Sequence, residues 1–418
     1  MPIRAQTDRI FRITVCVRPF RAAGPRLDVE RVGDKTVVHN YGHGGSGWPL
    51  SWGSSSIAVE MAMRAGERNV AVIGCGALGM TSAILLQRAG EKGTIYAKER
   101  PPDVRSARAT GSWTTDSRIA LTSAVSADFP ARWEKMCRTS FHTYESYLGM
   151  AGNPIEWTDR YVLFGESKAM ARPSQELDFA HYQDRVSDLT PRSKPLPPGT
   201  HPFPSPLATR TSSLTFNIAG YSRQLMNDFF VEGGRLEKVE FHSPAELSQV
   251  AENVIINATG YEARALWRDE SIVPVRGQIA WLIPQPEVNC GVFYKGVYIL
   301  SRRDGIVVQD GGIGEMGGTT TRPRSQIGRL RRGRWKSRRS CTPECVGELS
   351  IVLLRGAIDS ARTSNLGVGG IPGWRAGSAG SGDPSEKLQW VPQREDEGGR
   401  AESGRPGNRH ARMGKSSR

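Results

Sequence analysis

Val70-Ala71-Val72-Ile73-Gly74-Cys75-Gly76-Ala77-Leu78-Gly79 decides how the rest of the chain is read. The first four residues form a short apolar run, the pattern of a buried strand. Three glycines then follow at G-x-G-x-x-G spacing. In that arrangement the first glycine permits a tight turn, the second admits a pyrophosphate close to the backbone, and the third lets helix and strand pack closely. The helix predicted after them presents its N-terminal N–H groups to the phosphates. An ordinary strand–helix turn is the alternative. The context favours a dinucleotide site: Ala83 and Gly90 continue a small-residue spacing, and Thr94-Ile95-Tyr96-Ala97 reads as a second strand. That strand ends at Lys98-Glu99, with Glu99 placed where an acid would take a ribose hydroxyl pair. The expected binding set is Gly74, Gly76, Ala77, Leu78, Gly79, Lys98 and Glu99.

Such a strand usually opens a domain, and here some seventy residues precede it. Ile10 to Val17 alternates apolar and polar residues and predicts a strand, stopped by Pro19, with Arg18 at its end pointing into a cleft. Val37-Val38-His39-Asn40-Tyr41-Gly42-His43-Gly44-Gly45-Ser46-Gly47-Trp48-Pro49-Leu50-Ser51-Trp52-Gly53 runs a strand into clustered glycines and then into a helix predicted over 54–65. Glycines here let the backbone touch a flat ligand, and their N–H groups with the helix dipole can stabilise negative charge.

This stretch resembles the signature of the D-amino-acid oxidase family. Arg18-Pro19-Phe20-Arg21 resembles that family's carboxylate-gripping arginine. In the family's usual order both lie after the nucleotide-binding domain, so the sequence reads as circularly permuted, with the seam near Gly66-Glu67-Arg68-Asn69. The resemblance implies FAD as cofactor, held by the glycine turn together with Gly44, Gly45, Ser46 and Gly47, by Gly111-Ser112-Trp113, and by Gly260 after Asn257-Ala258-Thr259. It implies catalytic or substrate roles for Arg18, for the Gly45 carbonyl as the amine's acceptor, and for the pair Tyr294 and Tyr298. His39 and His43 are implied to shape the loop. Two departures stand out: Lys98 sits where the family has an acid, and Pro49 where it has a hydroxyl residue.

The expected fold is α/β, with a Rossmann-type FAD-binding domain, a second mixed-sheet α+β substrate domain, and a disordered C-terminal tail. The boundaries read 1–35 for strands bringing Arg18 to the substrate domain, 36–66 for the flavin loop and helix, and 67–150 for the first part of the FAD-binding domain. Residues 151–212 are the first part of the substrate domain with a linker, 213–270 the second part of the FAD-binding domain, and 271–316 the second part of the substrate domain. The expected activity is oxidative deamination of a D-amino acid, with O2 as electron acceptor. The alternatives are a glycine- or sarcosine-type or other amine oxidase, an NAD-dependent dehydrogenase, and a catalytically incomplete FAD-binding protein with a nucleic-acid-binding tail.

Composition narrows the rest. The net charge is +14, but 317–418 holds 20 Lys/Arg against 9 Asp/Glu, so the body is nearly neutral. No nucleic-acid partner is expected, since the tail's arginines lack interleaved aromatics. A frame-shifted translation is the sharper reading of that tail, because its composition changes abruptly in mid-domain. Six scattered cysteines make neither a disulfide framework nor a metal site. No apolar run reaches membrane-spanning length and no leader is apparent, so a cytoplasmic protein without a membrane partner is expected. A homodimer is left open.

Overall fold

The computed structural model describes residues 3–164, 177–203, 205–294 and 296–310. The order of strands and helices begins with β1 (Ile10–Arg21), β2 (Val29–Val32), β3 (Lys35–His39), α1 (Ser51–Met63), β4 (Asn69–Ile73), α2 (Ala77–Arg88) and β5 (Lys92–Ala97). It continues with α3 (Phe129–Glu145), β6 (Ile155–Phe164), β7 (Lys194–Leu196), β8 (Leu207–Phe216), α4 (Ile218–Val231), β9 (Arg235–Lys238) and β10 (Val254–Asn257). The last four strands are β11 (Ile272–Leu282), β12 (Cys290–Tyr294), β13 (Val297–Arg302) and β14 (Gly305–Asp310). The tail from 317 lies outside the described residues.

A six-stranded sheet has the order β2-β3-β10-β4-β5-β9. All its neighbours are parallel except β2 with β3. Parallel strands buried on both faces read as continuous apolar runs, as Val70–Ile73 and Val254–Ile256 do. Val38, Val70, Val72, Ile95, Val254 and Ile256 face the helices. Val37, Ala71, Ile73 and Ile255 pack on the other side against Leu247 and Val250. β4 continues through α2 to β5 on one side and has β10 on the other. That is a topological switch point, where a crevice opens beyond the carboxyl ends of the strands.

The second sheet has eight strands in the order β1-β11-β14-β13-β12-β6-β8-β7, antiparallel except for β12 with β6. The fold is thus a Rossmann-type sheet joined to a mixed sheet. One expectation fails at β1. Pro19 does not end this strand, which runs on to Arg21. Pro19 lies opposite Pro274. Neither proline has an N–H, so this pair needs none of the ladder bonds that a proline would remove. β1 is also an edge strand, and its outer side takes the glycine loop: Pro19 O accepts from Gly44 N at 2.9 Å, and Phe20 bridges His43. The helix after that loop starts at Ser51, three residues earlier than predicted.

Candidate functional site

A cavity of about 550 Å³ opens at the carboxyl ends of β4, β5 and β10 and extends to one face of the mixed sheet. Gly74, Gly76, Ala77 and Leu78 line it at the start of α2, with Lys98 and Glu99 after β5 and Ala258, Thr259 and Gly260 after β10. The three glycines of the turn do different things. Gly74 has φ +104°, and a methyl there would lie 2.6 Å from Ala258 O. A methyl on Gly79 would lie 1.9 Å from Gly74 O, so this glycine lets α2 close on its own turn and does not itself line the cavity. A methyl on Gly76 would approach only Ser106 Oγ, at 3.4 Å, which leaves its position open to a ligand. Ala77 N already donates to Ser106 Oγ at 3.2 Å. An open glycine at a helix N-terminus inside a cavity suits a dinucleotide's phosphates.

Lys98 does not stand alone beside Glu99. Its Nζ is 3.1 Å from Glu240 and 3.4 Å from Glu262, and Arg105 meets Glu262 at 2.6 Å. Burial works against the Lys98 charge, but the two carboxylates outweigh it and hold its pKa above the usual lysine value. Burial would likewise raise Glu262, but Arg105 and Lys98 hold it below the usual carboxylate range. Glu99 is exposed at the cavity margin.

The sheet face supplies the other wall. Arg18, Phe293, Tyr298 and Gln309 all line the cavity. Register explains the grouping: Phe293 pairs with Tyr298, and Tyr298 with Gln309, so the three share one face. Thr110 Oγ1 holds Gln309 Oε1 at 2.7 Å. Arg18 reaches over Gly277, where a methyl would lie 2.5 Å from Nη1; no hydrogen bond or ion pair ties the guanidinium among the described residues. Tyr294 is not brought to the cavity. It pairs with Val297 on the opposite face and is buried with Leu163, Ala208 and Val308. The expected tyrosine pair is therefore corrected to Tyr298 beside Phe293. The two-residue hairpin between β12 and β13 puts residues four apart on opposite faces.

Gly111 and Ser112 line the cavity, whereas Trp113 is buried and packs its ring against Phe141, Tyr144 and Phe216. Gly111 has φ +88°, and a methyl on it would strike Phe216 O at 2.6 Å. The buried Arg302 steadies this wall by donating to Ala109 O at 2.9 Å and Thr110 O at 3.2 Å, with Asp304 as its carboxylate.

In the glycine loop, Gly44, Gly45 and Gly47 line the cavity, while Ser46 is buried outside it with its hydroxyl toward Ser117 O at 3.4 Å. The expected row of free N–H donors is corrected. Gly44 N donates to Pro19 O, Gly45 N to Ser117 O and Ser46 N to His43 O, at 2.8–2.9 Å. Of these four residues, only Gly47 has an N–H without a hydrogen-bond acceptor among the described residues. The loop folds back on itself because Gly44 takes φ +55°, and a methyl there would collide with Arg118 O at 1.9 Å.

His39 is away from the cavity. Its Nε2 meets Glu30 at 2.9 Å and its Nδ1 meets the Asn257 amide at 3.0 Å. Tyr41 lines the cavity and donates to Asp269 at 2.9 Å, while burial pushes its hydroxyl up to about 12. Sequence reasoning missed Phe293, Gln309 and Ser106. The alternation of β12 and β14 against their neighbours carried a signal for the first two.

Comparison with known proteins adds the family. A model described as "DAO: FAD dependent oxidoreductase" matches residues 69–335. The D-amino-acid oxidase of Rubrobacter xylanophilus is 29% identical over 215 residues, covering 50% of this chain and 57% of that protein. A D-aspartate oxidase of Talaromyces thermophilus is 56% identical over 46 residues, covering 11% of this chain and 12% of that protein. A solved glycine oxidase from Geobacillus kaustophilus aligns with a TM-score of 0.40 at 13% identity, over 58% of this chain and 71% of that chain. The matched part spans little more than half the length of the Rubrobacter protein. No helix among the described residues is long and apolar enough to cross a membrane. With the family model matching well over half its length, the chain belongs to the FAD dependent oxidoreductase (DAO) family.

Proposed function

We propose that this chain oxidises a D-amino acid to the 2-oxo acid and ammonia, passing two electrons through FAD to O2. The observation that carries the reading is one cavity with an open glycine turn at one end and Arg18, Tyr298, Phe293 and Gln309 on a single sheet face at the other. Gly76, Ala77 and Leu78 would hold the pyrophosphate, Glu99 the ribose, and Gly111, Ser112 and Gly260 the passage of the chain around the cofactor. Gly45 and Gly47 would border the flavin.

A bound flavin supplies the two-electron acceptor for the hydride leaving Cα. The chain's own residues do the rest. The Arg18 guanidinium fork fixes the carboxylate bidentately. The Tyr298 hydroxyl donates to the same group. The Gly45 carbonyl accepts from the amine, since its N–H is already held by Ser117. Phe293 keeps water off the reacting carbon. Loss of the hydride and an amine proton leaves an imine, which water hydrolyses outside the protein, while O2 is reduced to hydrogen peroxide. We further propose a permuted chain order: the family match begins at 69, yet Arg18 and the 37–53 stretch precede it and contribute strands to both sheets.

The test is the spectrum of purified protein reconstituted with FAD, followed by anaerobic addition of a D-amino-acid panel. Bleaching of the flavin band supports the reading. A flavin-loaded protein that no D-amino acid bleaches refutes the substrate class, and a protein that binds NAD in place of FAD refutes the cofactor assignment.

A further inference from the structure

Three polar side chains share the sheet face that walls the cavity, and register sets their order. Arg18 of β1 reaches over Gly277 of β11, Gln309 stands on β14, and Tyr298 stands on β13. The strands run β1-β11-β14-β13, with Gln309 opposite Ile279 on one side and Tyr298 on the other. Ile279 is two residues from Gly277 and shares its face, so Gln309 is the diagonal neighbour of Gly277. Gln309 therefore occupies the strand between the Arg18 guanidinium and the Tyr298 ring. Neighbouring strands are about 4.8 Å apart, so a small group touched by both Arg18 and Tyr298 lies over Gln309.

The Gln309 amide is aimed. Its Oε1 accepts from Thr110 Oγ1 at 2.7 Å, and Arg302 fixes Thr110 by donating to its carbonyl at 3.2 Å. The Nε2 end has no acceptor among the described residues, yet it is not one of the buried unpartnered atoms. The backbone of Gln309 is paired on both sides, so the accessible part of this partly exposed residue is its side chain, on the cavity wall. An ionised carboxylate has about four lone-pair sites. In the proposed function the Arg18 fork takes two and the Tyr298 hydroxyl one. Tyr294 faces the other side of the sheet and cannot meet the fourth. Resting on that reading, we propose that Gln309 is a substrate-binding residue whose Nε2 donates to the substrate carboxylate, with Thr110 as the residue that positions it.

Gln309→Met keeps the length and drops the amide. Gln309→Glu keeps an oxygen for Thr110 and sets an anionic oxygen where the donor stood. Thr110→Val removes the hydroxyl that turns the amide, and Thr110→Ser keeps it. FAD-loaded protein is titrated anaerobically with D-alanine, read by flavin bleaching, and with propanoate, read by the shift of the flavin band; thermal midpoints check each fold. The methyl of D-alanine makes no hydrogen bond, and propanoate has the carboxylate without the amine. We expect Gln309→Met to weaken both ligands about tenfold and Gln309→Glu about a hundredfold, since a hydrogen bond to a charged group is lost and a like charge is then added. Thr110→Val should weaken both about threefold, and Thr110→Ser should match the parent. FAD binding should hold in all four. Unchanged binding of both ligands in Gln309→Met, or Gln309→Glu binding them as tightly as the parent, overturns the proposal. Weaker D-alanine with unchanged propanoate moves the amide to the amine, and loss of FAD moves it to the cofactor; either overturns the proposal. A parent that propanoate shifts but no D-amino acid bleaches refutes the proposed reaction, and the propanoate titrations still decide the role of Gln309. A flavin-loaded parent that responds to neither ligand overturns both.

Discussion

Substituting the second and third glycines of the turn by alanine separates folding from cofactor binding. At Gly79 the new methyl would sit 1.9 Å from Gly74 O, about 1.5 Å short of ordinary contact. Both partners are backbone, one in the first turn of α2 and the other in the turn after β4, so neither can swing away as a side chain would. Overpacking of this kind costs about 1–3 kcal/mol and occasionally more, and the rigid surroundings argue for the upper end. At roughly 2–4 °C per kcal/mol for a domain of this size, the apoprotein midpoint should fall by about 6–12 °C. At Gly76 the methyl meets only Ser106 Oγ at 3.4 Å. The fold should lose no more than about 1 kcal/mol, the difference between glycine and alanine at a helix N-cap. FAD affinity should nevertheless fall by about a hundredfold, as expected when a phosphate is denied close approach to the turn at a cost near 3 kcal/mol. Thermal melts of both apoproteins and flavin-fluorescence titrations read the two effects. A Gly76→Ala protein that binds FAD as tightly as the parent would show that the pyrophosphate does not lie on this turn. A Gly79→Ala protein with the parent's midpoint would remove the close-packing argument.

Arg18→Ala should raise half-saturation by a carboxylate substrate about 10–100-fold, the loss of a charge-assisted pair, with FAD still bound; steady-state or bleaching titrations measure it, and an unchanged value takes Arg18 out of the site. Gly277→Ala should produce a smaller defect of the same kind, because the three atoms nearest the methyl, at 2.5–3.1 Å, all belong to the flexible Arg18 guanidinium, which it would displace; a defect confined to stability refutes this positioning role. Folding stability should fall with acidity. His43 is held neutral in the fold, with its pKa down to about 3 through burial and Arg21, so between about pH 6.5 and 3 the unfolded chain binds a proton the folded chain refuses. The loss is about 1.4 kcal/mol per pH unit, or about 2 kcal/mol from pH 7 to 5, and denaturant melts of His43→Gln should lack that share. Asp304→Asn leaves the buried Arg302 guanidinium without its carboxylate and should cost about 3 kcal/mol; a variant within 1 kcal/mol of the parent would mean the Ala109 and Thr110 carbonyls suffice.

What could be read from the chain follows from how local each demand is. The G-x-G-x-x-G turn was legible because Gly74, Gly76 and Gly79 answer to backbone within a few residues and to one neighbouring strand end. The apolar runs at 70–73 and 254–256 marked two adjacent parallel strands for the same reason. Arg18 was legible through its place after an alternating strand, although the strand continues beyond Pro19 because a second proline happens to face it. Tyr294 and Tyr298 show where locality ends. A spacing of four means one face on a helix, but across a two-residue hairpin it means opposite faces, so the neighbour that reaches the cavity is Phe293.

Donor availability is less local still. Nothing in Gly44-Gly45-Ser46 reveals that Pro19 and Ser117 accept two of its N–H groups, since Ser117 comes from a segment some seventy residues away. Likewise the Lys98 ammonium, read as a departure beside Glu99, meets Glu240 and Glu262, which are brought to it by β9 and by the chain beyond β10. A lysine with two carboxylates against it is already neutralised. It therefore does not present a bare positive charge to a ribose, and in the proposed function Glu99 is the residue left to hydrogen-bond that sugar. Replacing Glu99 by Gln should weaken FAD binding, whereas Lys98→Met should act mainly by freeing Glu240 and Glu262. If Lys98→Met alone weakens FAD binding and Glu99→Gln does not, the ribose lies on the lysine side of this cluster.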